Sequence, residues 1–128
     1  MKKILIVTAN YYKDISSLLI NSAKIKLKKS KVQFKIIKVP GVFEIPVTIS
    51  KNIKKYDGFL ALGCVIKGQT PHFDFISAAT TNAIMSLSIE SKKPIGNGII
   101  TCLNKNQALA RGKKGGEAAE ATLSILFI

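Results

Sequence analysis

Four strand-like runs, Lys3 to Ala9, Val32 to Val39, Phe59 to Ile66 and Pro94 to Cys102, the first of them continuously apolar and β-branched, alternate with stretches whose apolar residues recur at helical spacing. That alternation constrains the fold more than any other feature. A strand that is apolar at consecutive positions needs cover on both faces, which a parallel sheet packed between helices provides. After the first run, Ile15, Leu18, Leu19, Ser22 or Ala23 and Leu27 follow helical spacing, with Asp14 placed to cap the first turn. Pro40-Gly41 breaks the second run, and a helix is predicted from Ile45 to about Lys54, with Pro46 tolerated in its first turn.

Tyr56-Asp57-Gly58 forms a turn into the third run, and Phe73 to Ser91 is the longest helical stretch, rich in Ala, Ser and Thr. Those small residues predict close helix packing. Beyond the fourth run, Asn104 is placed to cap a short helix through Ala110, and Gly115-Gly116 separates it from a last helix, Glu117 to Leu126. The order β-α-β-α-β-α-β-α-α predicts right-handed crossovers and a flavodoxin-like three-layer α/β/α sandwich with a four-stranded parallel sheet.

With 128 residues, 47% of them hydrophobic, the chain has enough apolar side chains for one core and too few residues for two ordinary domains. A single domain over 1–128 is expected. Leu123, Ile125, Leu126, Phe127 and Ile128 make an apolar end, which predicts self-association. The formal charge of +13 raises nucleic acid as a partner, but the lysines are scattered, with no arginine-rich arm, base-stacking platform or helix-turn-helix signature. Solvated helix faces are the expected explanation, with no nucleic acid bound. Cys64 and Cys102 lie in apolar runs without metal-ligand or redox spacing, so both read as small buried hydrophobes. The apolar run after Met1-Lys2-Lys3 stops at Thr8-Ala9-Asn10, too short for a signal peptide, so a cytoplasmic protein without membrane association is expected.

In doubly wound sheets ligands bind beyond the carboxyl ends of the strands. Here those ends carry Asn10-Tyr11-Tyr12, Gly41-Val42-Phe43-Glu44 and Lys67-Gly68-Gln69-Thr70-Pro71-His72. An aromatic face, a carboxylate and an imidazole are thus expected at one edge. His72 is the only histidine in the chain and the natural proton carrier near neutral pH, with a helix-cap or packing role as the alternative. The amides of Gly68-Gln69-Thr70, entering a helix, suit an anion. Arg111, the sole arginine, offers the one planar fork suited to a phosphate or carboxylate, the alternative being a helix-terminal arginine bonded to carbonyls.

Pro40-Gly41-Val42-Phe43-Glu44-Ile45-Pro46, the run Gly63 to Asp74 and Pro94-Ile95-Gly96-Asn97-Gly98-Ile99 together resemble the lumazine synthase family of riboflavin biosynthesis. The resemblance spans essentially the whole chain. It implies a cofactor-independent, metal-free condensation of 5-amino-6-(D-ribitylamino)uracil with 3,4-dihydroxy-2-butanone 4-phosphate, releasing phosphate and water. It also implies that Tyr11 stacks on the pyrimidine where the family usually has phenylalanine, and that Val42, Phe43 and Glu44 contact the ribityl chain and ring. Cys64, Val65 and Ile66 then meet the uracil edge through backbone groups. Gly68, Gln69, Thr70 and Arg111 hold the phosphate, and His72 carries the proton. Asn97 reaches the site from a neighbouring subunit, so the resemblance implies a homopentamer, alone or as one of twelve in a 60-subunit shell.

The chain departs from the family pattern in two places: Asn10 stands where an arginine is usual, and the segment Arg111 to Gly116 is shorter than in many members. Lys113 or Lys114 then supplies the basic group that follows the arginine. Two other readings use the same residues. Lys67, beside the His72 turn, would serve Schiff-base chemistry on the protein, and a non-catalytic flavodoxin-like module would only bind a flavin or lumazine.

Overall fold

Two of the four runs, Lys3 to Ala9 and Phe59 to Ile66, become central strands buried on both faces, while the other two become edge strands that leave Gln33, Lys35 and Lys38, or Asn97 and Thr101, exposed. A computed structural model describes residues 1–128. Its elements in chain order are β1 (Lys2–Ala9), α1 (Lys13–Lys28), β2 (Val32–Val39), α2 (Ile45–Lys51), β3 (Gly58–Ile66), α3 (His72–Ser91), β4 (Ile95–Cys102), α4 (Lys105–Leu109) and α5 (Lys114–Leu126), with a 3₁₀ turn Val42–Glu44 leading into α2. The sheet order is β2-β1-β3-β4, and every neighbouring pair is parallel. The chain first winds from β1 to β2 and then reverses to β3 and β4, so the switch point lies between the carboxyl ends of β1 and β3.

Alternate side chains of the central strands feed two separate cores. Ile4, Ile6, Leu60 and Leu62 pack with Ile15, Leu19 and Leu27 of α1 and with Ala118 and Ala119 of α5. Leu5, Val7, Phe59 and Ala61 face the other way, against Ile45 and Ile49 of α2 and Ile84 of α3. Each fully buried Leu or Ile is worth about 1.5–3 kcal/mol relative to exposure, so the apolar runs drive the three-layer architecture. The expected α/β/α sandwich with a four-stranded parallel sheet is the fold observed.

Several local expectations are corrected. Asp14 does not cap α1: Tyr12 occupies the cap position, while Asp14 sits within the first turn and pairs with Lys105 at 3.0 Å. That pairing holds the Asp14 carboxyl below its usual value. Leu18 is exposed, and Ser16 and Ile20 take buried places on α1 instead. Helix α2 stops at Lys51 rather than Lys54, because the following residues close turns onto Ile49, Ser50 and Asn52. Asn104 caps α4 as expected, its Oδ1 accepting the Gln107 N–H at 2.9 Å.

Gly115 and Gly116 do not separate two helices but lie inside the first turn of α5. Packing explains their presence there: a Cβ on Gly115 would stand 2.0 Å from the Leu19 carbonyl oxygen, so only glycine lets α5 approach α1 this closely. The same closeness recurs at Gly96 of β4, where a Cβ would meet the Ala118 carbonyl oxygen at 2.1 Å. Helix α5 is thereby clamped between α1 and β4, which fixes the segment carrying Arg111 against the β4 edge.

Helix α3 is different. It buries only Thr80 and Ile84 fully and leaves Phe75 and Ile89 each 68% exposed, with Met85 also exposed. Ile125, Phe127 and Ile128 at the end of α5 are likewise exposed. No helix is long and apolar enough to cross a membrane.

Candidate active site

At the switch point the ends of β1 and β3, the 3₁₀ turn and the start of α3 surround a cavity of about 530 Å³. Seven residues singled out in the sequence line it: Tyr11, Val42, Phe43, Cys64, Val65, Ile66 and His72. Three further residues complete the lining, namely Tyr12, Gly41 and Ile76. Ile76 lies one helical turn beyond His72, so helical spacing alone would have found it. Gly41 and Tyr12 stand at the strand ends where the sheet topology places ligands, although the family resemblance assigns them no contact.

The lining is mostly apolar and aromatic, with a single imidazole, and suits a planar heterocycle rather than a highly charged ligand. Tyr11 presents its ring at the rim, 75% exposed, in an edge-to-face contact with Tyr12 at a centroid separation of 4.9 Å. Burial raises the Tyr12 phenol above its ordinary value, with Tyr11 and Cys64 adding to the effect and Lys105 opposing it. The Cys64 thiol is pushed up to about 12, first by burial and then by Cys102 beside it. At neutral pH it is therefore a protonated, unreactive thiol, as expected for a buried structural cysteine.

His72 is the first residue of α3, exposed on the cavity wall, and its backbone N–H donates to Thr70 Oγ1 at 3.4 Å. Gly68, Gln69 and Thr70 form the exposed turn just before it, outside the lining. Lys67 is also exposed and outside the lining; its backbone N–H donates to the Cys102 carbonyl at 2.9 Å. Glu44 is likewise outside the cavity wall. Its Oε1 accepts the Gly41 N–H at 2.9 Å, which closes the 3₁₀ turn and holds Val42 and Phe43 at the cavity.

Asn97 and Arg111 lie elsewhere. They line a second cavity of about 700 Å³ along the free edge of β4, together with Ile99, Thr101, Lys113, Lys114 and others. The two cavities have no lining residue in common. Arg111 Nη1 donates to the Thr101 carbonyl at 3.2 Å and stands 3.9 Å from Cys102 Sγ. The carbonyl-bonding arrangement is thus realised for one arm of the guanidinium, while the residue as a whole stays exposed over the cavity. Asn97 Oδ1 accepts the Ile99 N–H at 3.0 Å. Lys113 and Lys114 both line this cavity, and Glu117 is its one carboxylate.

A family model described as 6,7-dimethyl-8-ribityllumazine synthase matches residues 1–128. The 6,7-dimethyl-8-ribityllumazine synthase 1 of Rhodopseudomonas palustris is 41% identical, over 98% of this chain and 85% of the relative. The 6,7-dimethyl-8-ribityllumazine synthases of Bartonella tribocorum and Bartonella henselae are 42% and 44% identical, each over 98% of this chain and over 88% and 86% of the relatives. At this identity over nearly full length, the motifs at the strand ends belong to a shared fold rather than to chance. The chain belongs to the 6,7-dimethyl-8-ribityllumazine synthase family.

Proposed function

We propose that the chain, a single domain over 1–128, condenses 5-amino-6-(D-ribitylamino)uracil with 3,4-dihydroxy-2-butanone 4-phosphate at sites completed by adjacent subunits of a cytoplasmic homopentamer. The product is 6,7-dimethyl-8-ribityllumazine, with phosphate and water released. One observation carries the interface reading: the imidazole and the guanidinium occupy two cavities that share no wall. One protomer therefore holds two half-sites, and apposing the switch-point cavity of one copy with the β4 edge of the next unites them. The exposed apolar residues of α3 and the end of α5 supply surface for such an assembly. A free pentamer and twelve pentamers in a shell both suit this reading.

In the united site Tyr11 stacks on the pyrimidine, while Val42, Phe43 and Glu44 meet the ribityl chain and ring. The ends of Cys64, Val65 and Ile66 pair with the uracil edge through backbone groups. The phosphate lies between the Gly68-Gln69-Thr70 turn and Arg111 of the adjacent copy, whose fork suits its oxygens. Asn97 enters from that same copy, with Lys113 and Lys114 lining its cavity.

The chemistry needs mainly orientation. The uracil amine attacks the ketone, an imine forms between the substrates, phosphate leaves, and ring closure with loss of water completes the lumazine. Holding two reactants together is worth up to about 7–11 kcal/mol, which makes juxtaposition the main source of rate. His72, on the wall where the amine meets the carbonyl, moves protons between the steps.

Mixing the purified chain with both substrates and following the lumazine absorbance tests the reading. Product is expected to form much faster with the chain present than from the two substrates alone. A chain that binds lumazine without forming it at an accelerated rate would instead be a non-catalytic binding module.

A further inference from the structure

We infer that Tyr12 is a positioning residue: its ring holds the Tyr11 ring edge-on and thereby sets the plane on which the heterocycle stacks. This rests on the reading of Tyr11 as the stacking platform. A platform on a cavity rim has a difficulty of its own. Tyr11 is 75% exposed, so solvent leaves its ring free to rotate unless a neighbour restrains it, and ordering it on binding would cost affinity.

Tyr12 is that neighbour. The two rings meet at a centroid separation of 4.9 Å and an interplanar angle of 80°, the edge-to-face geometry that the ring quadrupoles favour. Tyr12 is itself well anchored, because it is half-buried against the core beneath α1 and heads that helix. Its carbonyl accepts the Ser16 N–H at 2.9 Å.

The backbone is pinned on the other side of Tyr11 too. Asn10 N–H donates to the Val39 carbonyl at 2.8 Å, and the Ser16 hydroxyl donates to the Ala9 carbonyl. With both flanks held, the remaining freedom of Tyr11 is side-chain rotation, and the Tyr12 ring is what opposes it. The ring, not the hydroxyl, does this, so phenylalanine is an adequate replacement and an aliphatic residue is not.

Steady-state kinetics of three variants, each checked by thermal melting, test the assignment. An aromatic pair contributes a factor of roughly 2 to 10 beyond its buried area. Tyr12→Leu is therefore expected to raise KM for the ribitylaminouracil about fivefold, with kcat and KM for the butanone phosphate within about twofold of the parent. Tyr12→Phe is expected to bring the uracil KM back to within about twofold. Tyr11→Ala should raise that same KM at least as much as Tyr12→Leu does.

An unchanged uracil KM in Tyr12→Leu, alongside a raised one in Tyr11→Ala, overturns the positioning role alone. Tyr12→Phe behaving like Tyr12→Leu also overturns it, since the hydroxyl would then be the active group. A parallel rise in both KM values with a lowered melting temperature overturns it in favour of a packing role. An unchanged KM in Tyr11→Ala removes the platform reading itself and the inference with it.

Discussion

Arg111→Ala is expected to raise KM for 3,4-dihydroxy-2-butanone 4-phosphate by about 100-fold, with KM for the ribitylaminouracil changed by less than about threefold. Hydrogen bonds to charged groups are worth about 1.5–3 kcal/mol each, and a guanidinium can place two on one phosphate. Lysine is not an equivalent replacement: Arg111→Lys keeps the charge but loses the fork, so about a tenfold rise should remain. Arg111 already donates from Nη1 to the Thr101 carbonyl at 3.2 Å. That bond and the close packing of α5 on β4 orient the guanidinium before substrate arrives. Steady-state kinetics with each substrate varied in turn reads the split. Equal rises for both substrates would mean that Arg111 maintains the β4 edge rather than grips phosphate, and an unchanged KM would remove the assignment.

His72→Ala should behave in the opposite way, lowering kcat by about 100- to 1,000-fold with both KM values within about threefold, because one proton carrier typically supplies 10²–10⁴ in rate. Activity should not vanish, since holding both substrates together in the united site would supply the larger share of the acceleration. The imidazole stands on the first residue of α3, on a wall shared with Tyr12, Cys64 and Ile76, and no other ordinary proton carrier for neutral pH lines that cavity. Cys64 cannot substitute, because its thiol is pushed up to about 12 by burial. His72→Gln keeps hydrogen bonding without proton transfer and should be nearly as slow as His72→Ala. A kcat unchanged by His72→Ala from about pH 6 to pH 8 would remove the proton-carrier role.

The two central strands were legible in the sequence because their burial on both faces writes consecutive apolar residues into the chain, whereas the edge strands were legible through β-branched content and flanking turn residues. Val32 to Val39 was placed to the residue, helped by the Pro40-Gly41 break behind it. Gly115-Gly116 misled for a physical reason: glycine marks a helix end locally, yet here it marks where α5 touches the Leu19 carbonyl of α1, a contact between residues distant in sequence. Asp14 misled similarly: Tyr12 takes the cap position, and Asp14 inside the first turn accepts the Ile15 N–H at 3.0 Å and pairs with Lys105 of α4.

The aromatic and imidazole half of the site was legible for a topological reason. Tyr11, Val42 and His72 follow three different strands, and a parallel sheet brings all its carboxyl ends to one edge. The guanidinium half was not, because the position of Arg111 depends on which side of β4 the α4–α5 connection passes. Glu44 belongs to neither class. A carboxylate behind a strand end suggests a ligand, whereas the bond from Gly41 N–H to its Oε1 shows that it also builds the turn presenting Val42 and Phe43.

The central claim is that His72 of one subunit works with Arg111 of the next. Co-expression of His72→Ala with Arg111→Ala tests it most directly, with assembled protein assayed at low butanone phosphate, where each variant alone is slow. Random mixing in equal amounts leaves about one interface in four with both residues intact, so roughly a quarter of parental activity should return. Activity no higher than the mean of the two variants assayed separately would contradict the account, for it would mean that both residues serve a site within a single subunit.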